Sequence, residues 1–279
     1  MHPILFKIFD HPITTFGVMV MFGVVAASLW LGGALRRLGV EQRDAVGDLV
    51  TATLISGFLG ARILYLIIHP EAYHGLLSIV ALWEGGIVSY GGFFGGALGG
   101  VWFARRHHLP FVRLGDAVLP ALALGQAFGR VGCLLVGDDY GRPWDGPWAV
   151  TFSRLEGGLI PNHLVGVPLH PSQIYLSLMN LAIFGITAWL FARRRFDGQV
   201  LTATMLLYSV GRFLIEYTRG DDVERGSLGA LSTAQWWSLG TAVLAVVLML
   251  RFAARARKSA ASAEPGAPDA AADAASVSS

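Results

Sequence analysis

The chain alternates long apolar stretches with short segments that contain charged residues, proline or glycine. Apolar residues dominate seven stretches, over residues 13–35, 47–68, 87–104, 114–136, 172–192, 198–218 and 232–252. A helix of about 20 residues crosses the roughly 30 Å of bilayer hydrocarbon, because each residue adds about 1.5 Å. The pattern therefore predicts an all-α polytopic membrane protein with seven transmembrane helices.

The composition of the 279 residues agrees with this prediction. Only 14% of them are charged, 54% are hydrophobic and the mean hydropathy is +0.55, which excludes a soluble domain with a wet surface. The formal net charge of +2 comes from arginine clusters at helix ends, so nucleic acid is not an expected partner. The single cysteine, Cys133, excludes an intramolecular disulfide and a cysteine-based zinc site, and its apolar neighbours predict a buried thiol.

The lysines and arginines between the stretches predict the orientation in the membrane. Thirteen fall on one side, which is therefore cytoplasmic, and five fall on the other, which is external. The external five are Lys7, Arg142, Arg154, Arg219 and Arg225. This asymmetry places the N-terminus outside and the C-terminus inside. Residues 1–12 lack the features of a cleavable signal peptide, so we expect the first span to remain as an anchor.

Three segments outside the spans have compositions of their own. Residues 137–171 combine proline, glycine and aromatic residues, which predicts a small ordered cap on the external side. Residues 72–84 carry several leucines and a tryptophan, which indicates a second external piece lying flat at the membrane interface. From residue 259 the chain is rich in alanine, serine and proline. We therefore expect a disordered cytoplasmic tail over 259–279 and one integral-membrane domain over 1–258.

Three arginines lie inside the predicted spans: Arg62, Arg130 and Arg212. Each is about seven or eight residues from the external end of its span, roughly 10 to 12 Å down the helix. An arginine at this depth is costly unless it is paired or faces a wet cavity, so all three are functional candidates. The alternative is that each reaches the surface along its long stem or ties two helices together.

Glu216 follows Arg212 by four residues, so on a helix the two side chains share a face and can pair. Such a pair either stabilises the sixth span alone or takes part in function. Arg130 has no acidic residue at helical spacing and needs an anion from elsewhere. In the outer leaflet that anion is a lipid phosphate, which guanidinium holds in a two-pronged fork. Phospholipid is therefore the expected ligand.

The third span carries pairs of glycines every four residues, which lets another backbone or an acyl chain approach closely. Helix packing alone explains that spacing equally well. Tyr90 is the strongly polar side chain in this glycine run and is predicted to lie a short way below the external surface. It is a candidate acid or base.

Four blocks, in this order, resemble the prolipoprotein diacylglyceryl transferase family. They are Trp83-Glu-Gly-Gly-Ile-Val-Ser-Tyr-Gly-Gly92, Gly129-Arg-Val-Gly-Cys-Leu-Leu-Val-Gly-Asp138 with Tyr140-Gly-Arg142, His170-Pro-Ser-Gln-Ile-Tyr175, and Gly211-Arg-Phe-Leu-Ile-Glu216. The likeness extends over roughly residues 12–252. It implies a bacterial cell (inner) membrane enzyme, active on its external or periplasmic side. Such an enzyme moves the diacylglyceryl group of phosphatidylglycerol to the lipobox cysteine thiol of a prolipoprotein, forming a thioether and releasing glycerol phosphate.

The resemblance also implies roles for individual residues. Arg130 matches the arginine of the family's signature motif, and Arg212 and Glu216 match an essential arginine and glutamate, so these three inherit head-group and leaving-group roles. The expected catalytic residues are Tyr90, Arg212 and Glu216. The expected substrate-binding residues are Arg130, Arg62, Asp138, Arg142, His170, Ser172 and Gln173, with Arg62 in a supporting role. Neither a metal nor a cofactor is expected.

The base that removes the thiol proton stays open. Tyr90 occupies a position that is often histidine in the family, and tyrosine is a weaker base near neutral pH because its ordinary pKa is about 10. Glu216 or Asp138 is the alternative base, and we favour a Tyr90 that only hydrogen-bonds the lipid. Two other functions remain: a divergent paralogue with another acceptor, and a non-catalytic protein that binds or transports lipid.

Overall fold

The computed structural model describes residues 2–9, 11–81, 86, 88–221 and 226–263. Within them the chain forms seven α-helices: α1 Thr15–Arg37, α2 Ala45–Ile68, α3 Ser89–Arg106, α4 Phe111–Val136, α5 Ser172–Arg193, α6 Gln199–Glu216 and α7 Thr233–Ala263. Five of these, α1, α2, α4, α5 and α7, are long and apolar enough to cross a membrane. The prediction of a helical membrane protein is therefore confirmed, with five helices that could cross a membrane among the described residues.

The helix bounds differ from the predicted stretches in two places that bear on function. Helix α7 continues to Ala263, beyond the predicted tail boundary at residue 259, because alanine, arginine and lysine are strong helix formers. Residues 264–279 of the predicted tail lie outside the described part of the chain. Helix α6 ends at Glu216, so Arg212 lies four residues from the helix end, whereas Arg62 and Arg130 lie six residues from theirs. Arg212 is therefore about 3 Å nearer to the end of its helix than the other two arginines are to theirs.

Helices α2 and α3 pack along their glycine-rich faces. A Cβ added at Gly91 or Gly95 would collide with the backbone of Gly60 or Ser56 on α2, and one added at Gly99 would meet Ala52. The glycine spacing of the third span therefore serves close backbone packing between two helices.

The two ends of the helix bundle are built differently. At the basic end, where α1, α3 and α5 finish in arginines, buried apolar side chains from several helices form a core that includes Leu35, Phe103, Leu114, Phe191 and Val200. The buried Asp116 of α4 also lies here. Its two carboxylate oxygens each accept a 2.8 Å hydrogen bond, from the backbone N–H groups of Gly198 and Leu201.

The opposite end, which we call the cap end, holds three two-stranded antiparallel sheets: β1 Ile4–Ile8 with β2 His11–Thr14, β3 Val150–Thr151 with β4 Pro168–Leu169, and β5 Ser227–Leu228 with β6 Leu231–Ser232. The cap of residues 137–171 has its own small core of Phe152, Leu164 and Leu169. Lys7 of β1 pairs with Glu156 of the cap at 2.7 Å. The N-terminal hairpin and the cap therefore lie side by side.

The segment between α2 and α3 was predicted to lie at the membrane interface. It forms two short 3₁₀ helices, Pro70–Ala72 and Leu76–Ile79, and Leu76 and Leu77 are each 79% exposed. Exposed leucines on a flat segment suit contact with lipid rather than water. Residues 82–84 of the predicted segment, and with them Trp83 and Glu84, lie outside the described residues.

Candidate functional site

The candidate site begins with the turn that follows α4. Gly137 adopts a left-handed φ of 81°, and the N–H groups of Gly137 and Asp138 both donate to the carbonyl oxygen of Cys133, at 2.9 and 3.0 Å. Glycine at this position is the usual way to end a helix with its last carbonyls satisfied. Asp139 follows with a left-handed φ of 54°, and this reversal places its carboxylate beside Arg130, more than two helical turns earlier in the sequence.

The first residues of α5 hold this turn in place. The Ser172 hydroxyl donates to the Asp139 carbonyl at 2.8 Å, and the Gln173 side-chain amide donates to the Asp138 carbonyl at 2.7 Å. Both side chains are fully buried. Ser172 and Gln173, predicted to bind substrate, therefore lie beneath the site and position its backbone.

Residues 140–142 of the cap pair with residues 218–220, which follow α6. The backbone N–H of Gly220 donates to the carbonyl oxygen of Tyr140 at 3.1 Å, and the backbone N–H of Arg142 donates to the carbonyl oxygen of Thr218 at 2.9 Å. The Arg142 Nε donates to the carbonyl oxygen of Arg219 at 2.7 Å. The predicted substrate-binding Arg142 thus joins the cap to the end of α6, and it brings the ends of α4 and α6 together.

This junction assembles a cluster of three arginines and three carboxylates. Asp139 accepts a hydrogen bond from Arg130 on one carboxylate oxygen and from Arg219 on the other. Arg219 also pairs with Asp221, with Nε 2.9 Å from Oδ1. Arg212 pairs with Glu216, as the four-residue spacing predicts, and Glu216 accepts a 2.7 Å hydrogen bond from Ser232. Each of the three arginines is therefore paired with at least one of the three carboxylates.

Exposure within the cluster is uneven. The side chains of Arg219 and Glu216 are only 2% and 3% exposed, and that of Arg212 is 12% exposed. Arg130 and Asp139 are 21% and 24% exposed, so the ion pair between them is the part of the cluster that an incoming ligand reaches first.

The carboxylates of Asp138 and Asp139 differ in their proton affinity. Burial would raise the pKa of Asp139, but the charges of Arg130 and Arg219 outweigh it and lower the pKa to about 2. Partial burial and the neighbouring negative charge of Asp139 raise the pKa of Asp138 above its usual value. Two adjacent aspartates thus have separate properties: one is a permanent anion, and the other is a better proton acceptor.

Cys133 is buried, as predicted, and its thiol lies 3.5 Å from an Asp139 carboxylate oxygen. Ligand atoms of Cys133, Asp138 and Asp139 lie within 4.8 Å of one another, a spacing compatible with a metal ion. However, both oxygens of Asp139 already accept from guanidinium groups. The arrangement suits arginine pairing better than metal ligation.

Two predicted site residues lie away from the described contacts of this cluster. The ring of Tyr90, 47% exposed at the start of α3, packs against Trp237 of α7 with centroids 5.6 Å apart. Arg62 is fully buried and donates to the carbonyl oxygens of Ser78, at 2.7 Å, and Gly86, at 3.3 Å. Among the described contacts, Arg62 connects α2 to the external segment that follows it.

His170, predicted to bind substrate, belongs to the packing of the cap. Its ring stacks on Trp144 with centroids 4.3 Å apart and planes 7° apart, and its Nδ1 lies 3.4 Å from the Tyr175 hydroxyl. Burial lowers the pKa of His170. The stacked imidazole therefore packs the cap beside the site.

Sequence reasoning missed three members of the cluster: Asp139, Arg219 and Asp221. Arg219 was counted among the external basic residues, although it follows Glu216 by one helical turn and precedes an aspartate by two residues. That spacing was the available signal. The pairing of Asp139 depends on the left-handed turn and on the approach of α6 to α4, which the sequence pattern does not specify.

Comparison with known proteins identifies what this arrangement resembles. A family model described as prolipoprotein diacylglyceryl transferase matches residues 3–251. A phosphatidylglycerol–prolipoprotein diacylglyceryl transferase of Clostridium tetani is 31% identical over 246 residues, covering 88% of this chain and 96% of the relative. A relative of the same name from Clostridium perfringens, numbered 2 in that organism, is 35% identical, covering 86% of this chain and 91% of the relative. One from Bordetella parapertussis is 34% identical, covering 91% of this chain and 95% of the relative.

Proposed function

We propose that this chain, which belongs to the prolipoprotein diacylglyceryl transferase family, transfers the diacylglyceryl group of phosphatidylglycerol to a prolipoprotein cysteine. The observation that carries the proposal is the cluster at the cap end, where the ends of α4 and α6 meet and present Arg130 beside the more deeply buried Arg212 and Arg219. Guanidinium groups in this setting suit a lipid phosphate. The expected family membership is confirmed.

The reaction needs two things from the protein. The cysteine sulfur of the acceptor forms a bond to the glyceryl carbon while the carbon–oxygen bond to the phosphate breaks, and the electron pair leaves with the phosphate oxygen as glycerol phosphate. Negative charge therefore builds on the phosphate, and preorganised arginines stabilise it. The sulfur must also lose its proton, because the thiolate is the nucleophile.

Arg130 is proposed to hold the departing phosphate, with Arg212 and Glu216 behind it as a paired support. Asp138 is the candidate base with the best properties, since it is more exposed than Glu216 and its pKa is raised, whereas Glu216 is buried against Arg212. Tyr90, with its ring exposed at the start of α3, is suited to a contact with lipid. Ser172, Gln173, Arg142 and His170 are assigned to holding the site's backbone and the cap, and Arg62 is assigned to holding the external segment that follows α2.

The proposal includes the membrane topology. All seven helices are taken to span the membrane, because α3 and α6, each 18 residues long, would reach about 27 Å and pack against α2 and α7. The basic end is assigned to the cytoplasm, and the cap end, with the N-terminus and the site, to the external side of the bacterial inner membrane. Residues 1–258 are proposed as one catalytic domain, with the cap at 137–171 and a cytoplasmic tail at 259–279.

The test is a transfer assay with purified protein, phosphatidylglycerol and a synthetic lipobox peptide. Mass spectrometry of the peptide should show the added mass of one diacylglyceryl group, and a peptide with serine in place of the cysteine should show none. The absence of a mass shift with folded protein and the cysteine peptide would contradict the proposed function.

A further inference from the structure

The carboxylate of Asp139 is bound to Arg130, the guanidinium proposed to hold the lipid phosphate. One of its oxygens accepts from Arg130 and the other from Arg219, so a single side chain bridges the ends of α4 and α6. A carboxylate and a phosphodiester each carry one negative charge at neutral pH and bind guanidinium in the same way. An anion that binds the Nη1 group of Arg130 therefore competes with Asp139.

We propose that Asp139 is a positioning residue that holds Arg130 in place before lipid binds and then yields it to the phosphate of phosphatidylglycerol, while keeping its contact with Arg219. This inference rests on the proposed function. Asp139 thus sets the affinity for anionic lipid without contacting the reacting atoms.

The second contact of Asp139 allows it to release Arg130. Each of the three arginines of the cluster pairs with a carboxylate, and Asp139 is shared between two of them. When the phosphate replaces Asp139 on Arg130, the displaced oxygen belongs to a carboxylate that Arg219 still neutralises. Asp221 holds Arg219, so the arginine that remains bound to Asp139 stays fixed during the exchange.

Exposure and backbone support select the Arg130–Asp139 pair as the one that opens. Arg130 and Asp139 are each more than 20% exposed, whereas Arg219 and Glu216 are almost completely buried. The Asp139 carbonyl is held by Ser172, so the backbone stays in place and the movement is confined to the side chain.

The experiment is a binding titration that requires no turnover. Short-chain phosphatidylglycerol is added to the full chain in detergent, without a peptide acceptor, and the dissociation constant is measured for wild type and Asp139→Asn. Asparagine tolerates the left-handed backbone of this position as aspartate does, and glycine tolerates it too, so Asp139→Gly serves as a second variant. The matched control is Glu156→Gln, which removes one negative charge from an exposed ion pair of the cap.

Both neutral variants should bind phosphatidylglycerol more tightly, by about tenfold, because no charge-assisted hydrogen bond must be broken first. Glu156→Gln should bind within about twofold of wild type, as expected for a distant surface charge. A merely structural Asp139 predicts equal or weaker binding, and either result from folded variants overturns the inference while leaving the proposed function intact. Absence of any binding by wild type would overturn the proposed function, and this inference with it.

Discussion

Asp116 and Asp139 lie near the opposite ends of α4, and their partners differ in kind. Asp116, at the basic end, is fully buried and accepts hydrogen bonds from two backbone N–H groups at the start of α6, those of Gly198 and Leu201. Asp139, just beyond the cap end of the helix, is partly exposed and accepts from two arginine side chains, Arg130 and Arg219.

The difference separates an aspartate with a structural role from one that is proposed to act in lipid binding. Backbone N–H groups at a helix start cannot leave, so Asp116 acts as a helix cap supplied by a neighbouring helix and fastens α4 to α6. Arginine side chains can exchange one anion for another, so the ion pairs of Asp139 are replaceable. The same residue type therefore fixes the fold at one end and leaves a ligand site at the other.

The largest expected effect comes from a substitution at the cap end alone. Arg130→Gln removes the most exposed guanidinium of the cluster, so it should lower the rate of lipid transfer about a thousandfold, or ~4 kcal/mol of transition-state stabilisation. The measurement is kcat/KM in the peptide assay, together with the thermal unfolding temperature in detergent. Transfer at a wild-type rate by a folded Arg130→Gln protein would remove Arg130 from the reaction.

The second substitution is at the basic end, where we expect a loss of stability and no change in lipid affinity. Asp116→Ala leaves two buried N–H groups without their acceptor, which should destabilise the fold by about 3 kcal/mol. The unfolding temperature should therefore fall by several degrees, while the affinity of the remaining folded protein for phosphatidylglycerol stays unchanged. A change in lipid affinity without a loss of stability would show that the two ends are coupled, contrary to this comparison.

The sequence predicts the parts of the site that stand out against an apolar background. Arg130, Arg212 and Glu216 are found because a charge inside a membrane span needs an explanation, and the four-residue spacing of the last two correctly predicts their pairing. The helix pattern also gives each predicted span to within a few residues, except where α7 continues into an alanine-rich segment.

The other contacts of the site depend on how the helices are arranged in space. The distance of a residue from the end of its helix does not determine that arrangement. Arg62 has the same distance from its helix end as Arg130, yet its described partners are the carbonyls of the external segment. Arg219 lies past the end of α6 and looks like an ordinary external charge until the cap pairs with that segment. Asp138 and Asp139 are identical in type, and only the left-handed turn distinguishes the proposed base from the ion-paired anion.

A smaller effect tests that distinction at the cap end. If Asp138 accepts the thiol proton, Asp138→Asn should lower transfer about a hundredfold, or ~2.7 kcal/mol. In wild type the base works only when ionised, so activity should be lost as the pH falls through its pKa, which lies above the ordinary value of about 3.9 for aspartate. The measurement is a pH–rate profile for both proteins, and the residual activity of Asp138→Asn should lack this acid limb. An unchanged limb in the variant would assign the proton to Glu216 or Tyr90.

The smallest effect concerns the support beneath the site. Ser172→Ala removes the 2.8 Å hydrogen bond to the Asp139 carbonyl, which should cost about 1 kcal/mol of stability. Ser177 provides the matched control, because it lies on the same helix and makes a similar 2.9 Å hydrogen bond to Ala127, away from the turn.

Ser172→Ala and Ser177→Ala should lower the unfolding temperature alike, since each loses one buried side-chain hydrogen bond to a backbone carbonyl. Only Ser172→Ala should also lower kcat/KM, by about two- to threefold, because the turn that carries Asp138 and Asp139 becomes less firmly held. The comparison of transfer rates at equal folded protein measures this difference. Equal transfer by the two variants would mean that the left-handed turn at Gly137 holds Asp139 in position without help from α5.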